Sequence, residues 1–293
     1  MRVHHLNCIS SCPLGGKLFD GRTASLLRRG ELTCHCLLVE SEGGLVLIDT
    51  GFGLRDVADP SSRLSTFFLA MLKPDFREEM TALRQIERMG FCASDVRHIL
   101  LSHLDFDHAG GLDDFLNATV HMLQIEREYA ARQLTWLDRQ RFRPQQWSTR
   151  ANWQVHAERG GDTWYGFERV LPLAGFSDDI AFIPLRGHTF GHAGVAVRAG
   201  KRWLLHATDA YFYHTEMDGV RPHCTAGLAF YQWMMGKDGN ARRRNQGRLR
   251  ALCNDPSARD ITVFSGHDPI DFERLARRSP GVPVEALQAG YRL

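Results

Sequence analysis

The chain has 293 residues, 43% of them hydrophobic, which is enough to bury a large core. Its formal net charge of +2 gives no electrostatic reason to expect nucleic acid or an anionic membrane as partner. The start, Met1-Arg2-Val3-His4-His5-Leu6-Asn7-Cys8, lacks the apolar centre of a secretory signal, and no later apolar run is long enough to cross a bilayer, so a cytoplasmic location is expected.

Cysteine usage agrees: seven cysteines, an odd number scattered from Cys8 to Cys253, fit reduced thiols better than a disulfide framework. His4, His5, Cys8, Cys12, Cys34, His35 and Cys36 have the chemistry of a structural zinc site. Cys34 and Cys36, however, sit in an apolar strand pattern where cysteine serves as a small buried residue, and that reading is preferred. Cys34 to Glu40, a turn through Ser41-Glu42-Gly43-Gly44, and Leu45-Val46-Leu47-Ile48 read as a hairpin ending at Asp49. Residues 53–74 hold Phe67-Phe68-Leu69-Ala70-Met71-Leu72, apolar enough to demand cover, and read as an insertion. Residues 76–89 carry Met80, Leu83, Ile86 and Met89 at helical spacing, with Asp75 and Glu78 as a capping box and Gly90 as the stop.

The most informative stretch is Ser102-His103-Leu104-Asp105-Phe106-Asp107-His108-Ala109-Gly110-Gly111, which places four metal-ligand side chains within six residues directly after the buried strand His98-Ile99-Leu100-Leu101. His103 and Asp105 alternate and share one face, while Asp107 and His108 lie beyond a bend and address a second position, so two adjacent ions are the natural reading. The glycines let the backbone turn without crowding them. Residues 130–178 form a second insertion holding four of the six tryptophans, Trp136, Trp147, Trp153 and Trp164. The two insertions are read either as lids making an apolar pocket or as aromatic anchors onto the core or a partner subunit. Further ligands then recur at strand ends: His188 and His192 after Phe182-Ile183-Pro184-Leu185, Asp209 after Leu204-Leu205, and His267 after Ile261-Thr262-Val263-Phe264. Residues 194–198 and 202–205 pair as another hairpin, returning His188 and Asp209 to one rim.

On Leu47-Ile48-Asp49-Thr50-Gly51, the motif at 103–108, and His188, Asp209 and His267 in that order, the chain resembles the metallo-β-lactamase superfamily, nearest to its lactonase and hydroxyacylglutathione-hydrolase branches. The resemblance spans nearly the whole chain. It implies an α/β fold, an αββα sandwich of two mixed β-sheets flanked by helices, read as one domain over 1–293. It also implies a ligand set: His103, Asp105 and His188 for the first ion, Asp107, His108 and His267 for the second, and Asp209 between them. Two divalent ions, zinc with manganese or iron as alternatives, would share a bridging hydroxide that attacks a carbonyl, with Asp107 orienting it.

The family pattern has histidine where this chain has Asp105. The extra charge takes the ligand carboxylates Asp105, Asp107 and Asp209 to −3 and predicts a less acidic bound water and more tolerance of manganese or iron. The other reading is that Asp105 binds nothing. Related lactonases place a substrate-contacting tyrosine three residues after the bridging acid. Here Tyr211 and Tyr213 stand two and four after it, and Tyr211 is taken as the catalytic candidate. Phe68, Phe106, Trp147 and Trp164 are expected to line the substrate pocket. Asp49 and His192 are expected to support the site by hydrogen bonding, and Arg242-Arg243-Arg244 to be a solvated face. The function so implied is opening of a lactone or cleavage of a related carboxylic ester. Alternatives are a thioester hydrolase of the hydroxyacylglutathione-hydrolase type, a phosphodiester or phosphotriester hydrolase, and a metal-binding sensor or di-iron redox protein. The expected partner is a small-molecule substrate, with a homodimer left open.

Overall fold

The computed structural model describes residues 1–148, 152–158, 162–172 and 178–285. Two six-stranded sheets face one another. The first runs β1 (Arg2–Asn7), β2 (His35–Ser41), β3 (Gly44–Ile48), β4 (Val96–Leu100), β5 (Thr119–Leu123) and β6 (Trp153–His156). The second runs, from its far edge, β12 (Ile261–Ser265), β11 (Arg202–Thr208), β10 (Ala193–Ala199), β9 (Ile180–Pro184), β8 (Phe167–Pro172) and β7 (Asp162–Trp164). Both are mixed. β1 to β3 pair antiparallel and β3 to β6 parallel, while β11 and β12 are parallel beside antiparallel neighbours.

The alternation of strand side chains builds the layers. Leu37, Val39, Val46 and Ile48 point between the sheets to meet Phe182, Val195, Val197 and Phe264. Cys36, Leu38, Leu45 and Leu47 take the opposite face and share a cluster with Leu83 and Ile86 of the helix Ala82–Arg88. On the second sheet Ala196, Leu205 and Ala207 cluster with Leu249 and Leu252 of the helix Gly239–Cys253. Central strands buried on both faces are what helices on both outer sides require. This is the αββα sandwich that the motif order implies.

Both expected hairpins form, turning at Gly44 with φ +116° and Gly200 with φ +63°. The helix expected over 76–89 starts later. Residues 78–80 make a single 3₁₀ turn, Thr81 caps Ala82–Arg88 by accepting from the Arg84 N–H, and Asp75 and Glu78 instead pair with Arg77 and Arg84. Cys8, Cys34 and Cys36 are buried, and all seven thiols are free. No helix among the described residues is long and apolar enough to cross a membrane.

The 130–178 segment divides. The helix Trp136–Arg141 turns toward the ligand end of β4, β6 extends the first sheet, and β7 and β8 extend the second; residues 149–151, 159–161 and 173–177 lie outside the described residues.

Candidate metal centre

Each expected ligand stands just beyond the end of a strand, and local backbone features aim it. After β4, Asp105 is still extended and precedes the one-turn helix Phe106–Ala109 that carries Asp107 and His108. Thr50 holds this turn, donating through Oγ1 to the His108 carbonyl oxygen at 2.7 Å and accepting from the Gly111 N–H at 3.0 Å. A Cβ on Gly110 would lie 2.2 Å from Asp56, so the close approach of the 50–56 loop needs glycine there. Before Asp209 the β11–β12 register shifts and Thr208 takes φ +47°. Gly187, with φ +140°, packs directly on the backbone of Arg242 and sets the turn into His188.

The seven side chains converge as two groups: His103, Asp105, His188 and Asp209, and Asp107, His108 and His267. In the first group Asp105 Oδ2 lies 3.3 Å from His103 Nε2 and 2.9 Å from His188 Nε2, and Asp209 Oδ2 lies 3.9 and 3.3 Å from the same two nitrogens. A tetrahedral ion with bonds of about 2.0–2.1 Å sets its ligand atoms roughly 3.3–3.4 Å apart, so these spacings fit one. Asp209 also reaches the second group, 3.1 Å from His108 Nε2 and 3.2 Å from His267 Nε2, with Asp107 at 3.8–4.0 Å from those nitrogens. His103 Nε2, His108 Nε2 and Asp209 Oδ1 are buried without a hydrogen-bond partner. Such atoms are costly unless something else satisfies them, and a cation between the groups would.

The far side of three of the four rings is held, those of His103, His108 and His267, while His188 Nδ1 is buried without a partner. His108 Nδ1 lies 2.8 Å from Asp49 Oδ2, which also accepts from Ser102 Oγ at 2.7 Å, while Asp49 Oδ1 accepts from the Ser102 N–H at 2.8 Å. Ser102 Oγ in turn lies 2.9 Å from His103 Nδ1, and His267 Nδ1 lies 2.7 Å from the Thr33 carbonyl oxygen. These contacts turn the Nε2 atoms inward, as orienting partners of metal-binding imidazoles do. His192 bonds the Leu185 carbonyl oxygen and Thr208 Oγ1 and shapes the loop. Burial alone would lower the His108 pKa, but the Asp209, Asp49 and Asp107 carboxylates reverse that and hold it well above the usual range. The proton drawn to that ring is one that a divalent ion would displace.

Two residues at the site carried no sequence signal. Arg141, fully buried, lays its guanidinium on Asp105, Nε to Oδ1 at 2.6 Å and Nη2 to Oδ2. Burial opposes ionisation of Asp105, but Arg141 and then His103 hold it well below the usual carboxylate range. The −3 expected of the ligand carboxylates is therefore offset to −2. The second is Tyr231, on the buried face of the helix Ala226–Met235 with Leu228 and Met235. Burial raises its hydroxyl pKa well above the usual value, and Asp107, Asp105 and Asp209 push it further, so it keeps its proton beside the ligand carboxylates.

Other expected site residues separate. Phe68 and Phe106, with rings 4.6 Å apart, share a cluster with Phe212 and Tyr231. Phe212 stacks on His267 at 5.0 Å and lies 5.8 Å from His188. Trp147 instead packs in the outer core of the first sheet, and Trp164 packs on Trp203 outside the second. The expectation that these tryptophans line the pocket gives way to packing, because the strands that carry or follow them complete the sheets. Tyr211 is likewise turned away, its hydroxyl 3.3 Å from Asp271 in the cluster under the helix Gly239–Cys253. Phe212, three residues after Asp209, takes the inward position. Of the arginine run, Arg243 and Arg244 are exposed while Arg242 turns in to donate to Gln232.

The comparisons with known proteins agree with this arrangement. A probable metallo-hydrolase of Mycobacterium tuberculosis (strain ATCC 25618 / H37Rv) is 38% identical over 279 residues, 94% of this chain and 83% of that protein. An N-acyl homoserine lactonase of a Bacillus species is 34% identical over 122 residues, 40% of this chain and 49% of its own length. The solved structure of an N-acyl homoserine lactone hydrolase, with the product N-hexanoyl-L-homoserine bound at its catalytic metal center, matches with a TM-score of 0.68 and 20% identity, over 93% of this chain and 95% of that one. A dizinc quorum-quenching lactonase matches with a TM-score of 0.59 and 17% identity, over 91% and 87%. At those identities the two structures speak for the fold alone. The family model for the metallo-beta-lactamase superfamily covers residues 29–223, from the strand before Asp49 to beyond Asp209, and the chain belongs to that superfamily.

Proposed function

We propose that the chain is a dinuclear metal-dependent hydrolase that opens a lactone or cleaves a related carboxylic ester, acting as one catalytic unit over 1–293 with insertions at 53–74 and 130–178. The observation that carries this reading is the pair of ligand groups meeting at Asp209 beside an aromatic cluster. His103, Asp105, His188 and Asp209 would hold one ion, and Asp107, His108 and His267, with Asp209, the other. Zinc suits the histidine-rich set, and the carboxylates admit manganese or iron. Bound there, two such ions supply Lewis acidity and an acidified water for attack on a carbonyl.

The chain's own residues do the rest. Asp49, Ser102 and the Thr33 carbonyl fix the imidazoles of His108, His103 and His267. Phe68, Phe106 and Phe212 exclude water and offer an apolar wall to an acyl group. Asp107 accepts a hydrogen bond from the attacking water and orients it, and Tyr231 holds a proton to donate to a substrate oxygen. The partial sequence relative that is an N-acyl homoserine lactonase favours a lactone over other esters. The test is to count bound metals in protein purified without chelator, then assay lactones, thioesters, aryl esters and phosphotriesters with each restored ion. Lactone turnover above the other classes is expected. No turnover of any carboxylic ester by the metal-loaded protein would refute the reading.

A further inference from the structure

A fully buried arginine beside a candidate metal site needs a physical reason, because an unpaired guanidinium inside a protein is very costly. Arg141 ends the helix Trp136–Arg141, whose chain continues into Phe142, and the Phe142 backbone bridges to that of Asp105. Its Nη1 donates to the Met235 carbonyl oxygen, at the end of the helix that carries Tyr231. The guanidinium plane is thus anchored at both ends before it meets the carboxylate. It grips Asp105 by two parallel bonds, and Nη2 also lies 2.9 Å from His188 Nε2.

We propose that Asp105 and Arg141 act together as one ligand unit of the first group, an ion pair that stands where the family pattern has a neutral histidine. A carboxylate is shorter than an imidazole and can rotate away. The two-pronged contact fixes its plane with Oδ2 turned to His103 and His188, the direction an ion would need. The same contact cancels the charge that Asp105 adds, leaving the ligand set at −2, the value that a histidine at position 105 would give. Arg141 is therefore a positioning residue for the first group, supplied by a segment whose other strands only extend the sheets. This inference rests on the two ligand groups being metal sites.

The consequence is that restoring the family pattern with Asp105→His alone should fail. It leaves the buried guanidinium, already 2.9 Å from His188 Nε2, without the carboxylate that neutralises and holds it, so that its charge repels a cation. Removing both partners, with Arg141→Met beside Asp105→His, should repair the damage. The experiment uses the full chain as wild type, Asp105→His, Arg141→Met and the double variant. Each is stripped of metal, melted, then equilibrated with zinc alone and counted for bound metal after dialysis. We expect two equivalents in the wild type and a first-group affinity at least about tenfold weaker in Asp105→His, the scale on which supporting groups act on metal sites. The double variant should regain both the second equivalent and most of the lost melting temperature of the metal-free protein, so that the two changes are strongly non-additive. Two equivalents in wild type, with Asp105→His unimpaired or with losses that simply add, overturn the pairing alone. Fewer than two equivalents in wild type overturn the two-ion reading, and the ligand role with it.

Discussion

Replacing Asp49 by Asn keeps the side chain's shape and removes its charge, and the structure specifies where the damage goes. Asp49 accepts three hydrogen bonds in a fully buried position, from the Ser102 N–H, from Ser102 Oγ and from His108 Nδ1. An amide has one accepting oxygen. Its NH₂ would face the His108 ring and favour the tautomer with the proton on Nε2, the atom that must bind the ion. His103 is affected at one remove, through Ser102 Oγ. Losing such an orienting partner costs about 10–100-fold in metal affinity, or roughly 1.4–2.7 kcal/mol. A stranded buried donor adds about 1–3 kcal/mol of lost fold stability. Competition with a chromophoric chelator would measure the first quantity and thermal unfolding of the metal-free protein the second. Asp49→Asn should weaken both ion equivalents, the one at His108 more, whereas Ser102→Ala should weaken only the one at His103. An Asp49→Asn protein that binds both equivalents as tightly as wild type would refute the argument that Asp49 orients the imidazoles.

Three further outcomes are expected. Tyr231→Phe should lower kcat about a hundredfold with little change in melting temperature, while Tyr211→Phe, which loses only its bond to Asp271, should cost about 1 kcal/mol of stability and leave kcat alone; the reverse ranking would restore Tyr211 to the reaction. Asp114, half-buried and beside Asp56 and Asp113, has its pKa raised from 3.8 to about 7, first by the desolvation that its partial burial brings. The folded state therefore binds its proton more tightly than the unfolded chain does, and this contribution, complete below pH 4, is lost as pH rises to 7. Asp114→Asn should thus gain in melting temperature relative to wild type between pH 4 and 7, and a flat difference across that window would sink the assignment. Gly187→Ala puts a Cβ 2.4 Å from the Arg242 backbone at φ +140° and should cost on the order of 2 kcal/mol or more while loosening the ion at His188; unchanged metal retention would show that the loop tolerates the shift.

Much of the site is legible in the sequence because a ligand must follow a strand that ends at one rim, and an apolar run before a His or Asp, with glycine nearby, announces that locally. His103, Asp107, His108, His188, Asp209 and His267 all carry this signature. Arg141 does not. In Asp138-Arg139-Gln140-Arg141-Phe142-Arg143 it reads as part of a solvated charge run, and its partner lies 36 residues earlier. Tyr211 and Tyr213 stand two and four residues after Asp209, on either side of the pattern's three, and the turn after β11 sends alternate side chains to opposite sides, Phe212 inward and Tyr211 outward. Spacing could not separate them without that turn's handedness. The tryptophans misled for a related reason: composition identifies a segment rich in large apolar groups, while the sheet edge it completes decides which way they face.

The ligands are drawn from both sheets, four following β4 in the first and three following β9, β11 and β12 in the second. During synthesis the chain must therefore emerge past Asp209 before the first group can be complete and past His267 before the second can. A chain that has not yet reached His188 offers only the cluster at 103–108, which is a part of each group and the whole of neither. Capture of the right ions is in this way tied to the docking of one sheet on the other. If the groups hold ions as proposed, a nascent or half-folded chain would be kept from locking in whichever metal happens to be most abundant, and tight metal retention would report that the sandwich has closed.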